Sequence, residues 1–398
     1  MKNSSPNNGK KLPMITRRNF CKLVSVGGIG ASLLHTSPNA LLAQTQEKRK
    51  LATNIADALK YERKPSSMPG IFPGKVVQVN HAKCIAEKKF DYPSTQEMIK
   101  TGMLNLTGVR NISDAWRMFV TPQDRIGLKI NPVAGALLST SAEVVRAVIQ
   151  QLEDAGIPKK NISIWDRREF EMLEVGFTKS NFPGIEIIGT ERKDDKGSFY
   201  DANKVLYSEQ MIDKNWYYWA DTEEKYDAET LPYMINEGKF SYFSNIVTQK
   251  VDKIINIPIL KNAGSTVTLC LKNLAYGSVS NTGRLHKELW SETCAEVCAF
   301  PPLRDKVVLN IVDGIKGCYN GGPGANEQFI TDYKTILVGT DPVAVDRIGY
   351  EIVLKKRLEE KIQKEESPRG RVFLTLAENL KLGIADLNKI ELKSIQLT

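Results

Sequence analysis

The amino-acid sequence predicts an α/β protein with a mostly parallel sheet and helices on both faces of that sheet. Short β-branched runs alternate with amphipathic helical segments along the chain, which is typical of β-α-β units. Hydrophobic residues make up 41% of the chain, enough to bury a sizeable core. With 398 residues, the chain has the length of one large α/β domain or of about two to three smaller domains.

The N-terminal leader, residues 1–43, carries six basic residues and no acidic one, and it contains the run Thr16-Arg17-Arg18-Asn19-Phe20-Cys21-Lys22. The apolar stretch that follows over 23–34 is too short, at about 1.5 Å per residue, to cross a hydrocarbon core of about 30 Å. We therefore expect a twin-arginine signal peptide over 1–43 and no transmembrane anchor. The twin-arginine export machinery would deliver the folded protein to a periplasmic or other extracytoplasmic compartment. A basic tail followed by a short helix is the alternative.

Net charge and cysteine content exclude several classes of protein. The formal charge is +9, but without the leader 49 Lys and Arg face 46 Asp and Glu, so the net charge falls to about +3. Basic residues are not interleaved with aromatic ones as in a nucleic-acid groove, so no nucleic-acid partner is expected. The five cysteines that remain after the leader contain no C-x-x-C motif and predict neither a disulfide framework nor a ferredoxin-type iron–sulfur cluster. Whether another cofactor is bound stays open.

The chain after the leader divides into a linker and one α/β domain. Residues 44–73 are polar, contain three prolines and are expected to form a linker with one short helix. Residues 74–398 form the α/β domain, and the charged, aromatic-rich segment 190–245 is expected to be an insertion or cap. Strands are predicted over 75–79, 124–131, 161–166, 185–188, 251–258, 306–313 and 335–339, with helices over 141–152 and after the sequence Thr340-Asp341-Pro342.

Polar residues follow several predicted strands, and in open parallel sheets ligands gather at the carboxyl ends of the strands. These residues are Lys129, Asn131, Asp166, Asn256, Lys261, Asp313 and Asp341. Two of them have a structural alternative: Asp341 before Pro342 has the pattern of a helix N-cap, and Asp313-Gly314 has that of a turn.

The segment 261–273 carries the densest polar chemistry, with Lys261 and Lys272 flanking a Gly-Ser-Thr sequence that we expect to open a helix. A helix N-terminus offers free N–H groups to an anion, although capping and surface charge are the alternative. Further on, His286, Cys294 and Cys298 form an H-x7-C-x3-C pattern. These three side chains could bind a metal together. Alternatively, the two cysteines are buried thiols that pack within a helix.

The order of these motifs resembles the family catalogued as domain of unknown function 362 (DUF362). The resemblance spans roughly 120–350 and includes Ile257-Pro258-Ile259-Leu260-Lys261, Val267-Thr268-Leu269-Cys270-Leu271-Lys272-Asn273, Gly321-Gly322-Pro323 and Thr340-Asp341-Pro342-Val343-Ala344-Val345-Asp346-Arg347. Many relatives resemble twin-arginine-exported proteins, and others carry a ferredoxin-type module. Relatives often have a histidine shortly after the lysine at 261 and another at the position of Tyr276, whereas this chain has neither. The resemblance implies an architecture and a site but no reaction.

The sequence thus favours an exported enzyme, possibly redox-linked, that acts on a small anionic or polar molecule in the cell envelope. Lys129, Asn131, Lys261, Lys272 and Asn273 are the predicted ligand-binding residues. Asp313 and Asp346 are the predicted acid–base or metal-contacting carboxylates, and His286 is the predicted proton shuttle. Two alternatives stay open: a non-catalytic protein that captures a ligand with its aromatic insertion, and an accessory factor for a co-exported redox enzyme.

Overall fold

The computed structural model describes residues 50–398 except 88, 224–226, 229, 232–233, 236–237, 265 and 363–369. The predicted signal peptide over 1–43 lies outside the described residues. The helices are α1 (Ile55–Leu59), α2 (Tyr92–Thr107), α3 (Ile112–Arg117), α4 (Ala142–Asp154), α5 (Glu169–Glu174), α6 (Cys270–Ser278), α7 (Leu285–Glu288), α8 (Trp290–Ala299), α9 (Pro301–Arg304), α10 (Pro342–Glu359) and α11 (Val372–Asn379). Short 3₁₀ or π turns cover Gly135–Leu137, Lys159–Asn161, Tyr207–Met211, Ile246–Lys250, Glu327–Phe329 and Leu387–Lys389.

The strands form one large mixed sheet and two small ones. They are β1 (Lys75–His81), β2 (Ile85–Ala86), β3 (Lys89–Phe90), β4 (Ile126–Lys129), β5 (Ile162–Arg168), β6 (Glu186–Glu191), β7 (Ile212–Trp219), β8 (Phe240–Ser244), β9 (Lys253–Asn256), β10 (Ile259–Ala263), β11 (Thr266–Thr268), β12 (Val307–Cys318), β13 (Ile330–Thr331), β14 (Thr335–Gly339) and β15 (Glu391–Leu397). The main sheet has the order β15-β1-β14-β12-β9-β4-β5-β6.

Most neighbouring strands of the main sheet are parallel, which confirms the predicted fold class. The pairs from β12 through β9, β4 and β5 to β6 are all parallel, as are β1 with β15 and β10 with β12. Strand β14 is antiparallel to both of its neighbours, β1 and β12. Strands β9, β4 and β5 therefore lie in a continuous parallel region, and their carboxyl ends lie at one edge of the sheet.

Two hydrophobic cores cover the two faces of this sheet. The first core contains residues of α6, α8, α10 and α11, and the second core contains residues of α2, α3 and α4. Alternation along the strands separates the two: in β9, Ile254 belongs to the first core and Ile255 to the second. Helices therefore lie on both faces, as the sequence predicts.

The structure rules out the turn alternative at Asp313-Gly314, and the helix predicted to open at the Gly-Ser-Thr sequence is wrong. Strand β12 continues past Asp313 to Cys318, because Gly314 pairs with Thr335 within the ladder and does not form a turn. A Cβ at Gly314 would lie 2.8 Å from the Thr335 Cγ2 atom, so the glycine permits close strand packing. The Gly-Ser-Thr sequence does not open a helix either: Thr266–Thr268 is strand β11, paired antiparallel with β10, and helix α6 begins only at Cys270. Thr and Val at these positions favour a strand.

The aromatic-rich insertion over 190–245 contains the hairpin β7–β8, which forms a sheet of its own. The Arg284 guanidinium fixes the hairpin by donating to the Ala220 carbonyl at 3.1 Å and to the Ser241 hydroxyl at 2.8 Å. The Tyr217 ring lies 5.2 Å from that of Phe240, centroid to centroid. These ring contacts stabilise the hairpin.

The described part of the predicted linker packs against the α/β domain. The Arg304 guanidinium donates to the carbonyls of Tyr61 and Glu62, at 3.1 and 2.8 Å, and Met68 is fully buried. Within the described residues no helix has the length and apolarity needed to cross a membrane.

Asp341 connects three segments and confirms the predicted N-cap of α10. Its carboxylate accepts the N–H groups of Val343 and Ala344, both at 2.9 Å, and also those of Gly74 and Ile384, at 2.9 and 3.0 Å. The buried side chain therefore holds the start of α10 against the entry to β1 and the segment after α11.

We expect Asp341→Ala to lower the free energy of unfolding by about 3 kcal/mol, because it removes a helix cap and leaves buried N–H groups without an acceptor. Asp341→Asn keeps one acceptor oxygen, so its free energy of unfolding should fall by less. Urea denaturation of both variants checks this, and equal stability of Asp341→Ala and the wild type would contradict it.

Candidate functional site

Five predicted site residues lie together at the carboxyl edge of the parallel strands. Lys129 is the last residue of β4, Asn131 follows it by two positions, and Lys261 lies in β10. Asn273 and Lys272 come from helix α6, which packs against β5, β9 and β11. All except Lys272, which is half-buried, are buried. The fold therefore brings these five residues to the edge of the sheet where the sequence predicts a site.

Hydrogen bonds join these side chains into one buried polar network. The Lys129 ammonium forms an ion pair with Asp166 of β5 and also donates to Asn273 Oδ1 at 3.1 Å. Asn131 Nδ2 donates to the same Asn273 oxygen at 3.1 Å, and Asn131 Oδ1 accepts from Lys261 Nζ at 3.0 Å. The network therefore runs from Asp166 to Lys261 and fixes the orientation of both amides.

A line of asparagines extends this network under the sheet edge. Asn273 Nδ2 donates to Asn256 Oδ1 at 2.8 Å, and Asn256 Nδ2 donates to Asn310 Oδ1 at 2.9 Å. Asn310 in turn donates to the Thr340 carbonyl at 3.2 Å. Sequence reasoning missed Asn310, although an asparagine inside an otherwise apolar strand was a usable signal, since a buried amide needs partners.

Helix α6 approaches the ion pair through Gly277. A Cβ at this position would lie 2.3 Å from Lys129 Cε and 2.6 Å from Lys129 Nζ, with Asp166 Oδ1 at 3.5 Å. The backbone of α6 therefore closes directly over the lysine–aspartate pair. Any side chain larger than hydrogen would push the helix or the lysine away.

Lys261 and Lys272 differ from Lys129, which is ion-paired with Asp166. Among the residues that the structure describes, neither ammonium lies within ion-pair distance of a carboxylate. Burial and the neighbouring Lys272 charge lower the pKa of Lys261 to about 7, and burial lowers the pKa of Lys272. Burial also lowers the pKa of Lys129, against the opposing effect of Asp166. Lysines that lack a direct counter-ion are candidates for contact with an anion.

The outer part of the site contains Arg167, Tyr276 and His286. Lys272 Nζ lies 5.7 Å from the centroid of the Tyr276 ring, which is 4.4 Å from that of His286. Arg167 donates to the Tyr276 carbonyl at 3.3 Å. The surrounding protein, followed by the charges of Lys272 and Arg167, holds the pKa of the solvent-exposed His286 below its usual range. The role of His286 as a proton shuttle stays a prediction.

Asp346 caps helix α6 from a distant part of the chain. Its carboxylate accepts the N–H of Cys270 at 2.6 Å and that of Leu271 at 3.0 Å. From the sequence, the N–H groups of the first turn are available to an external anion. In the structure they donate to the Asp346 carboxylate instead. Burial raises the pKa of Asp346 to about 7. Asp346 holds the helix that carries Lys272 and Asn273.

Asp313 lies apart from Asp346. It accepts the N–H of Ser141 at 2.8 Å and that of Ile315 at 3.2 Å, and burial raises its pKa to about 6. Ser141 begins α4 of the second core, whereas Asp346 contacts α6 of the first core. The structure therefore does not bring these two aspartates together as an acid–base pair.

The predicted metal alternative finds little support in the described part of the chain. It contains no group of three or more His, Cys, Asp and Glu residues placed to hold a metal ion. Cys294 and Cys298 are buried free thiols on α8, and Cys298 Sγ lies 3.6 Å from the Leu271 carbonyl oxygen. Burial raises the pKa of both thiols, which favours a packing role.

A surface cavity of about 410 Å³ lies between α10 and α11, lined by residues that include Arg347, Arg371, Glu378 and Asp386. It shares no lining residue with the buried polar network. The strand-edge location and the unneutralised lysines make the network the better candidate for a functional site.

Comparison with known proteins identifies the family. The family described as Domain of unknown function (DUF362) matches residues 126–351, more than half of the chain. The chain belongs to the DUF362 family. The matched DUF362 region includes every residue of the buried polar network, together with Asp346.

Among solved structures, this DUF362 protein is similar to a crystal structure of a Thermotoga maritima protein from a structural-genomics consortium, with 9% identity and a TM-score of 0.34. The alignment covers 69% of this chain and 60% of that one. No curated protein matches the chain.

We expect Gly277→Ala to destabilise the protein by about 2 kcal/mol, because the added methyl group overlaps Lys129. An alanine in an ordinary helix position would instead stabilise it. Ser278→Ala, in the same helix, is the matched control. A Gly277→Ala variant as stable as the wild type in urea denaturation would show that α6 does not close tightly over the ion pair.

Proposed function

We propose that this DUF362 protein is an enzyme that binds and transforms a small carboxylate- or phosphate-containing molecule in the cell envelope. The observation that carries the proposal is that neither Lys261 nor Lys272 has a carboxylate within ion-pair distance among the described residues, while the charge of Lys272 acts on Lys261. A bound anion would supply the missing counter-charge and offset the cost of burying an ammonium group.

The surrounding residues fit distinct tasks in this site. Lys272 is half-buried and so more accessible than Lys261, and it would receive the anion first. Arg167, which forms an ion pair with Glu191 at 3.4 Å, lies close enough for its charge to act on His286. Asn131 and Asn273 are fixed by the Lys129–Asp166 pair and orient the bound molecule. The backbone contacts of Asp313 and Asp346 favour a positioning role over the acid–base role that the sequence predicts for them.

Capture of a ligand by the aromatic insertion is less favoured. The half-buried rings of Phe240 and Tyr242 stack on each other, with centroids 5.9 Å apart, and Tyr217 packs edge-on against both. These rings contact one another within the hairpin. The lysines without a carboxylate partner lie at the polar network, and an anionic ligand would gain more binding free energy there than at the hairpin.

The location we propose is extracytoplasmic. The twin-arginine pattern at Arg17 and Arg18, the absence of acidic residues over 1–43 and the short apolar run support export of the folded chain by the twin-arginine machinery. This route places the lysine site in the periplasm or an equivalent compartment.

We expect Lys272→Met to weaken the binding of inorganic phosphate or of a small carboxylate by about tenfold or more, since it removes one charge-assisted hydrogen bond. Lys100→Met, on the exposed side of α2, is the matched control. Isothermal titration calorimetry measures both. Unchanged affinity in Lys272→Met would show that the anion binds elsewhere.

We expect the double variant Arg17→Lys, Arg18→Lys to accumulate inside the cell, because the paired guanidinium groups form the export signal. Fractionation followed by immunoblotting measures the distribution. Lys10→Arg is the control that leaves the pair intact. Normal export of the double variant would refute the twin-arginine route.

A further inference from the structure

The surface cavity between α10 and α11 has the size of a small-molecule site. Its volume of about 410 Å³ falls in the range of about 300–1,000 Å³ that small-molecule pockets occupy. A water molecule takes up about 30 Å³ of the liquid, so a single ion or water would leave most of the cavity empty. The cavity therefore has room for a molecule with several functional groups.

Contacts within the described residues hold the walls of the cavity in place. Gly370 lines the cavity, and its carbonyl accepts a hydrogen bond from the Thr266 hydroxyl of β11 at 2.6 Å. On another wall, Ile384 directly precedes the lining residue Ala385 and donates its N–H to the Asp341 carboxylate at 3.0 Å. A cavity with anchored walls costs a ligand little ordering of the protein.

Arg347 supplies positive charge from the α10 wall. Its side chain is 15% exposed, and its Nη2 atom lies 2.9 Å from Glu351 Oε1 one helical turn further on. Its Nε atom is buried and has no hydrogen-bond partner in the described part of the chain. The guanidinium group thus keeps donors for a carboxylate, which arginine binds through two parallel hydrogen bonds. Arg371, which is exposed, also lines the cavity.

Glu378 supplies negative charge from the α11 wall. It is half-buried, and its Oε1 atom accepts the N–H of Ala385 at 3.0 Å. Among the described residues, no lysine or arginine lies within ion-pair distance of this carboxylate. Asp386, the other acidic residue of the lining, forms an ion pair with Lys389 at 3.6 Å. Glu378 is therefore the carboxylate best placed to accept a hydrogen bond from a cationic group of a ligand.

The cavity also has apolar lining from Val372, Leu374 and Ala385. We propose that it binds a small zwitterion with an apolar side chain, whose carboxylate contacts Arg347 and whose ammonium group contacts Glu378. A ligand with one charge would leave the other charged side chain desolvated without a partner, which is unfavourable. The ligand class is that of a free apolar amino acid or a short peptide with free ends. This site is independent of the function proposed for the lysines of the polar network.

Isothermal titration calorimetry of the full wild-type chain with leucine tests the requirement for two charges. We expect leucine to bind. N-acetyl-leucine lacks the ammonium group and leucinamide lacks the carboxylate, so each should bind at least about tenfold more weakly. Tighter binding of glycyl-leucine than of leucine would identify a peptide as the ligand, and the reverse order a free amino acid. Absence of binding by both leucine and glycyl-leucine overturns the proposal, as does leucinamide binding as tightly as leucine.

Variants locate the binding site. Arg347→Met should weaken leucine binding by about tenfold or more, and Glu378→Gln should also weaken it. Lys355→Met, at an exposed position of the same helix as Arg347, is the matched control. Lys272→Met should leave leucine binding unchanged, because Lys272 does not line the cavity. Loss of leucine binding in Lys272→Met together with normal binding in Arg347→Met overturns the cavity as the site. The leucine analogues test the wild-type protein, so the proposal stays falsifiable if a variant does not fold.

Discussion

The ion pair between Lys129 and Asp166 is the interaction on which the site depends. Both side chains are buried at the ends of neighbouring parallel strands, and removing one partner of such a pair costs about 3–5 kcal/mol. Lys129 also donates a hydrogen bond to Asn273, and Asn273 is hydrogen-bonded in turn to Asn131 and Asn256. The ion pair thus fixes the orientation of these amides. The parallel sheet, by bringing these strand ends together, makes this chain of contacts possible.

Helix α6 is held over this pair from both of its ends. Asp346 binds the first N–H groups of the helix, and Gly277 in its last turn allows the backbone to touch Lys129. Lys272 and Asn273 lie between these two points, so their positions are determined by the N-terminal part of α10 and by β4. Two segments separated by about 200 residues of sequence thus determine where Lys272 lies.

The strands and the strand-end lysines could be predicted from local patterns, and the long-range contacts could not. The β-branched run of β14 and the polar residue that ends β4 are visible within a few residues of sequence. Gly314 has the pattern of a turn residue, because nothing local reveals that Thr335 lies opposite it. Likewise, Asp346 resembles an acid–base residue until its partner, the start of α6, is known.

The central claim is that Lys261 and Lys272 complete their site with an anion. The most direct measurement is a crystal structure of the protein grown with selenate, in which the anomalous signal of selenium marks each bound ion. We predict a selenium peak within hydrogen-bond distance of Lys272 Nζ and beside Lys261. Both ammonium groups paired with carboxylates of the chain, with selenate bound only elsewhere, would contradict it.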